Sequence, residues 1–148
     1  MKNQKGFTLL ELMIAFAILA IVTAIAISNW SSYAQNQKLR KAALQITGTL
    51  AEASAQARAQ STAYYVDFNV AQNNYALERE GGNPVIRNFS APEIALTAAD
   101  FGGETYAKFL ARGVVEDEGY VTLENGRGST ARIDVKVLGK SSITYKMK

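Results

Sequence analysis

The chain contains no cysteine and no histidine, and only two prolines in 148 residues. Without cysteine there is no disulfide staple, no thiolate metal ligand and no thiol nucleophile. Without histidine the Ser-His-Asp and Cys-His triads are excluded together with the usual zinc sites. Carboxylates, lysines, serines and tyrosines are the remaining candidates for chemistry. The densest acidic run, Glu116-Asp117-Glu118, lies on no recognisable catalytic framework and reads as an acidic loop able at most to bind calcium weakly. No catalytic residue, resident metal or cofactor is therefore expected, and enzymatic function is set aside. Proline is scarce in a directional way, since the first is Pro84. The N-terminal half thus lacks the residue that most strongly breaks helices.

What is present is uneven. Hydrophobic residues make up 48% of the chain and charged residues 20%, the balance of a single folded domain. Residues 12–27 (LMIAFAILAIVTAIAI) nevertheless carry no charge and only Thr23 as a polar residue. Extended back through Phe7, Leu9 and Leu10, the run reaches about 20 residues, the length a helix needs to cross a bilayer core. Three readings compete: a removable secretory signal, with Lys2 and Lys5 ahead of it and Ala24-Ile25-Ala26 as its cleavage site; a plain membrane anchor; and a short leader followed by a retained helix. The length weighs against the first. So does Glu11, whose carboxylate would cost roughly 2.5–3.5 kcal/mol facing lipid alone and therefore calls for a partner.

Lys5-Gly6-Phe7-Thr8-Leu9-Leu10-Glu11-Leu12 resembles the cleavage and methylation motif of type IV prepilins and type II secretion pseudopilins. The resemblance implies cleavage after Gly6 by a membrane prepilin peptidase, N-methylation of the new first residue Phe7, and a role for Glu11 in docking the subunit into a filament. The physical logic is mutual neutralisation. A Phe7 amine and the Glu11 carboxylate of a neighbouring helix are each costly in lipid and satisfy one another as a pair. Two simpler readings of Glu11 stay open: a carboxylate favoured in the first helical turn by the helix dipole, or one paired with its own Phe7 amine. Small residues Ala15, Ala17, Ala20, Ala24 and Ala26 permit close helix approach, or simply fill apolar space.

Beyond Ile27 no proline or glycine intervenes before Gly48, so the helix is expected to continue to about Gln60, about 80 Å in all at 1.5 Å per residue. Leu39, Ala43, Ile46, Leu50, Ala53 or Ser54, and Ala57 recur at spacings of four and three, a face for packing on a sheet. Lys38, Arg40, Lys41, Glu52 and Arg58 read as its solvated outer face. The period then changes to two. Tyr64, Val66 and Phe68 alternate with polar neighbours, and Tyr75 and Leu77 follow a turn at Gln72-Asn73-Asn74, a hairpin pattern. Short strands are expected at Val85–Phe89 and around Ile94–Leu96. Three antiparallel strands are expected around Val121 and Leu123, Ile133, Val135 and Val137, and Ile143, Tyr145 and Met147, with turns at Asn125–Ser129 and Leu138–Lys140.

The expected fold is α+β, a pilin fold with a long N-terminal helix packed on an antiparallel β-sheet head. Its divisions are 1–6 leader, 7–28 transmembrane and filament-core helix, 29–61 amphipathic helix half, and 62–148 globular head. The helix, hairpin and closing meander are similar to the H-type minor pseudopilins and related minor pilins. This implies a minor structural subunit of a pilus or secretion pseudopilus. Its partners would be other pilin or pseudopilin subunits, the prepilin peptidase and methylase, an inner-membrane assembly platform and membrane lipid. The subunit would reside as a single-pass protein of the bacterial inner membrane, head outside the cytoplasm, before joining the filament.

Charge suggests a second reading. Residues 78–124 hold nine acids against four bases, whereas residues 126–148 hold Arg127, Arg132, Lys136, Lys140, Lys146 and Lys148 against Asp134. Some minor pilins of this subgroup bind DNA during uptake through basic residues after a turn glycine. By that resemblance Arg132, Lys136, Lys140, Lys146 and Lys148 form a candidate phosphate-contacting set. Here Gly139 is followed by Lys140-Ser141-Ser142, a departure from the arginine-rich version. Lysines that merely discourage edge pairing, or that complement an acidic filament neighbour, explain the same residues.

Overall fold

The computed structural model describes residues 7–148, with the side chains of residues 25–29 excepted. The leader residues 1–6, with the expected cleavage position Gly6, lie outside the described residues. Among the described residues the chain forms one helix and eight strands. It divides into two compact units, Met1–Ala34 and Gln35–Lys148.

Helix α1 (Leu9–Gln60) is 52 residues long and runs through both units. Thr8 caps its start. The Glu11 amide donates to Thr8 Oγ1 at 3.2 Å and the Leu12 amide to the Thr8 carbonyl at 3.2 Å, satisfying donors that the first turn leaves free. At the other end Ser61 adopts a left-handed conformation (φ 49°) and the Thr62 amide donates back to the Ala57 carbonyl. That 6→1 bond closes the helix in the manner usually left to glycine.

Within the second unit the helix lies on two four-stranded sheets, where the sequence suggested one. Strands β1 (Tyr64–Asn69), β2 (Asn74–Arg79), β3 (Val85–Asn88) and β5 (Tyr106–Phe109) form the first, in the order β3-β2-β1-β5. Strands β4 (Ile94–Phe101), β6 (Gly119–Asn125), β7 (Thr130–Val135) and β8 (Ser141–Lys146) form the second, in the order β4-β6-β7-β8. Neighbours in both sheets are antiparallel. The helical face read from spacing is the buried one: Leu39, Ala43, Ile46, Ala53 and Ala57 are fully enclosed and Leu50 nearly so. They join Val66, Phe68 and Leu77 of the first sheet and Ile94, Val121, Leu123, Ile133 and Val135 of the second in one core. Each large member contributes about 1.5–3 kcal/mol by leaving water. Phe68 stacks on Phe101 with ring centroids 5.9 Å apart, tying one sheet to the other.

Further details add to or depart from expectation. The outer helix face is exposed at Lys38, Arg40, Lys41 and Arg58, and it also carries contacts: Lys38 Nζ pairs with Glu93 at 2.6 Å, Glu52 takes a two-pronged bond from Arg87 at 2.8 and 3.0 Å, and Arg40 sits 5.3 Å from the Tyr145 ring. The strand expected around Ile94–Leu96 continues to Phe101 through a bulge between Leu96 and Ala98. Strand β5 was not foreseen. Val137 is not a strand residue, because β7 ends at Val135 and a turn closes from the Lys136 amide to the Lys140 carbonyl, leaving Val137 about half exposed.

Gly119 is required by close approach. A Cβ there would lie 2.2 Å from the Asp100 carbonyl oxygen and 2.4 Å from the Phe101 ring. Gly119→Ala is expected to destabilise the globular unit by about 3 kcal/mol through overpacking at the β4–β6 pair, read as a lowered midpoint in urea. The Arg87 hydrogen bond holds the Glu52 carboxyl below its usual range despite partial burial, and Glu52 in turn holds Arg87 above its own. A depressed carboxyl stabilises the fold above its unfolded pKa and loses that contribution as pH falls through its folded one. Glu52→Gln should therefore flatten the decline of stability below about pH 4.5 and cost about 0.5 kcal/mol at neutral pH, given the pair's exposure to solvent. Denaturant midpoints across the acid range would check both.

Candidate assembly helix and basic surface

The N-terminal part of α1 is apolar all round. Phe7, Leu9, Leu10, Met13, Phe16, Ile18, Leu19, Ile21 and Val22 are each more than half exposed within the chain. A helix apolar on every face is buried in lipid or among other helices. Thr23, the polar residue within it, returns its hydroxyl to the Leu19 carbonyl at 2.7 Å, so that its donor is satisfied inside the helix. Glu11 breaks the apolar surface one turn after the cap. Among the described residues its carboxylate makes no hydrogen bond or ion pair, while its backbone amide donates to Thr8 Oγ1. Phe7, the expected methylated residue, is 83% exposed just ahead of that cap. Among the described residues no helix is long and apolar enough to cross a membrane. The apolar run read from the sequence goes on to Ile27, and the side chains of residues 25–29 lie outside the description.

The basic residues singled out in the sequence do not form one patch. Lys136 and Lys140 bracket the β7–β8 turn, whereas Lys146 pairs with Thr130 at the opposite end of β7. The two ends are roughly 20 Å apart along the strand. Between them Arg132 is committed to neighbours: its Nε donates to Asp134 Oδ1 at 2.8 Å and its guanidinium lies 3.7 Å from the Tyr120 ring. Lys148 anchors beside the β6–β7 turn, its amide donating to Ser129 Oγ at 3.0 Å.

That turn is strongly built. The buried Asn125 side chain accepts from the Arg127 and Ser129 amides at 3.1 and 3.0 Å, and donates to Asn36 Oδ1 of the helix at 3.0 Å. Sequence reasoning recognised the turn but not its attachment to α1. The only available signal was a lone polar pair far apart in the chain. Among the described residues no group of His, Cys, Asp and Glu could hold a metal ion.

Residues 1–27 match the prokaryotic N-terminal methylation motif. Two fimbrial proteins of Pseudomonas aeruginosa are 45% identical to the chain over 47 residues, 32% of this chain and 30% of theirs. The chain thus matches less than a third of the length of those relatives. A type IV major alpha-pilin of Moraxella bovis is 27% identical over 150 aligned positions, covering all of this chain and 94% of that one. Among solved structures, the type IV minor pilin FimU of Pseudomonas aeruginosa superposes with a TM-score of 0.59 over 76% of this chain and 92% of its own, at 14% identity, a likeness of fold. With the methylation motif at its start, a pilin relative aligned along its whole length and a long helix packed on antiparallel sheets, the chain is similar to type IV pilins.

Proposed function

We propose that the protein is a minor structural subunit of a type IV pilus filament, anchored in the bacterial inner membrane by α1 with its globular unit outside the cytoplasm, and drawn into the filament through the same helix. The observation that carries this reading is the start of α1: a helix apolar on every face, capped by Thr8, with one carboxylate, Glu11, that lacks a partner among the described residues. Such a surface is stable in lipid or against other helices and in neither case requires a catalytic group. Cleavage after Gly6 places a cationic, methylated amine on Phe7. Glu11 of one subunit then neutralises the Phe7 amine of its neighbour, which selects both partner and register, because either charge left alone in the filament core costs several kcal/mol. The prepilin peptidase and methylase, the assembly platform and other pilins are the partners this sequence of events needs.

The fold likeness to FimU supports the minor role, while the full-length relative bears the name of a major pilin. The pilus reading is preferred to a secretion pseudopilus because the relatives and the structural neighbour carry pilus or fimbrial names. Stoichiometry in sheared filaments decides the first point, a minor subunit being present at a few per cent or less of the principal one.

Intact mass and N-terminal sequencing of protein from the membrane fraction should give a chain beginning at methylated Phe7. A chain beginning at Ile27 would sink the filament reading. Glu11→Val is expected to leave processing and membrane insertion unchanged while lowering recovery in sheared filaments by at least about tenfold, the consequence of stranding one unpaired charge. Equal recovery would show that Glu11 only serves the first helical turn.

A further inference from the structure

The fold gathers, at the end of the globular unit where α1 enters it, cations that are far apart in the sequence. Lys38, Arg40 and Lys41 come from the helix, Arg127 from the β6–β7 turn, and Lys146 and Lys148 from β8 and the residues after it. Four contacts join the start of the helix in this unit to the β6–β7 turn and β8, while Lys38 and Lys41 lie on the helix flank toward Ser90 and Ala91. Asn36 bonds Asn125, Arg40 lies against Tyr145, Lys146 pairs with Thr130, and the Lys148 amide bonds Ser129. Acids lie among these cations. Glu93 is paired with Lys38, and Glu124 and Lys148 flank Gly128 from two sides.

We propose that this end of the unit is a docking surface for an anionic phospholipid membrane, the one that holds the protein's own α1, with lipid phosphates as the ligand. The proposal rests on the membrane-anchored reading above. Two observations favour a lipid surface over other polyanions. Trp30 and Tyr33, 74% and 61% exposed, directly precede this end in the chain, and these are the amphipathic aromatics that settle at a membrane–water boundary. From Trp30 to Lys38 the chain spans at most about 30 Å even when extended, so the tether lets these cations reach the headgroups. Distance then sorts the basic residues. With a screening length of about 8 Å at physiological salt, a surface acts on the cations at this end and not on Lys136 and Lys140, roughly 20 Å up the sheet. Each participating cation raises the bound population by about fivefold. The globular unit is thus held against the bilayer until assembly withdraws it.

The chain has no cysteine of its own, so one introduced cysteine can carry a nitroxide. Gly126→Cys reports on this end, since a Cβ there meets only Gln35 Oε1 at 3.8 Å, and Leu138→Cys, 73% exposed in the β7–β8 turn, reports on the other. The full chain is placed in nanodiscs of phosphatidylcholine, alone or mixed with phosphatidylglycerol, and probed with a neutral water-soluble paramagnetic chelate. Phosphatidylglycerol should lower the accessibility of the Gly126 probe by about fivefold or more, high salt should restore it, and the Leu138 probe should not respond. Lys41→Gln, Lys146→Gln and Lys148→Gln together should abolish the effect without altering the thermal midpoint. Equal accessibility in the two lipids overturns the proposal. So does protection in pure phosphatidylcholine by a short DNA duplex as large as that by phosphatidylglycerol, which would assign the surface to nucleic acid. Failure to insert into either nanodisc would instead remove the anchoring reading, and this inference with it.

Discussion

An α-helix with no polar face cannot rest in water, and the rest of this protein is organised around that constraint. Hydrophobic side chains from Leu9 to Val22 remain exposed after the chain has folded. Their burial must therefore come from outside the chain. Lipid and the helices of other subunits offer nearly equivalent apolar surroundings, so transfer from one to the other carries little hydrophobic cost. What distinguishes the two environments is charge. A carboxylate such as that of Glu11 is costly in lipid unless a cation pairs with it.

The same helix changes character without interruption. Past Gln35 its apolar residues narrow to a stripe, and that stripe becomes the centre of a core shared by two sheets. The continuity is enforced by omission: no proline occurs before Pro84, so nothing in the covalent chain breaks the hydrogen-bond ladder between the two regimes. One element thus serves both as the surface that seeks partners and as the scaffold on which the globular unit folds.

The parts of this architecture that were legible in the sequence are those governed by local period. The helix bounds, the stripe from Leu39 to Ala57, the first hairpin and the closing meander follow from spacings of 3.6 and 2. Strand β5 was invisible because four residues between glycine-rich turns carry too little alternation, and β4 was shortened because its bulge at Leu96/Ala98 shifts the period midway. The division into two sheets is a tertiary property, fixed by contacts such as Phe68 on Phe101, which no local pattern encodes. The site shows the same split. The methylation motif is contiguous and therefore visible in the sequence. The C-terminal basic residues are close in sequence, but β7 and β8 carry Lys136 and Lys140 to one end of the sheet and Lys146 to the other, a separation no local pattern encodes.

The polar contacts along α1 have a mechanical meaning. Lys38–Glu93, Gln45–Ser90 and the Glu52–Arg87 pair are spaced along one flank of the helix and bind it to the segment between β2 and β4. A pull along the helix axis, as in a filament under tension, would load these links in shear and together, rather than opening them one after another. The globular unit would then resist extraction of its own central helix with the summed strength of the set, and yield abruptly once that sum is exceeded.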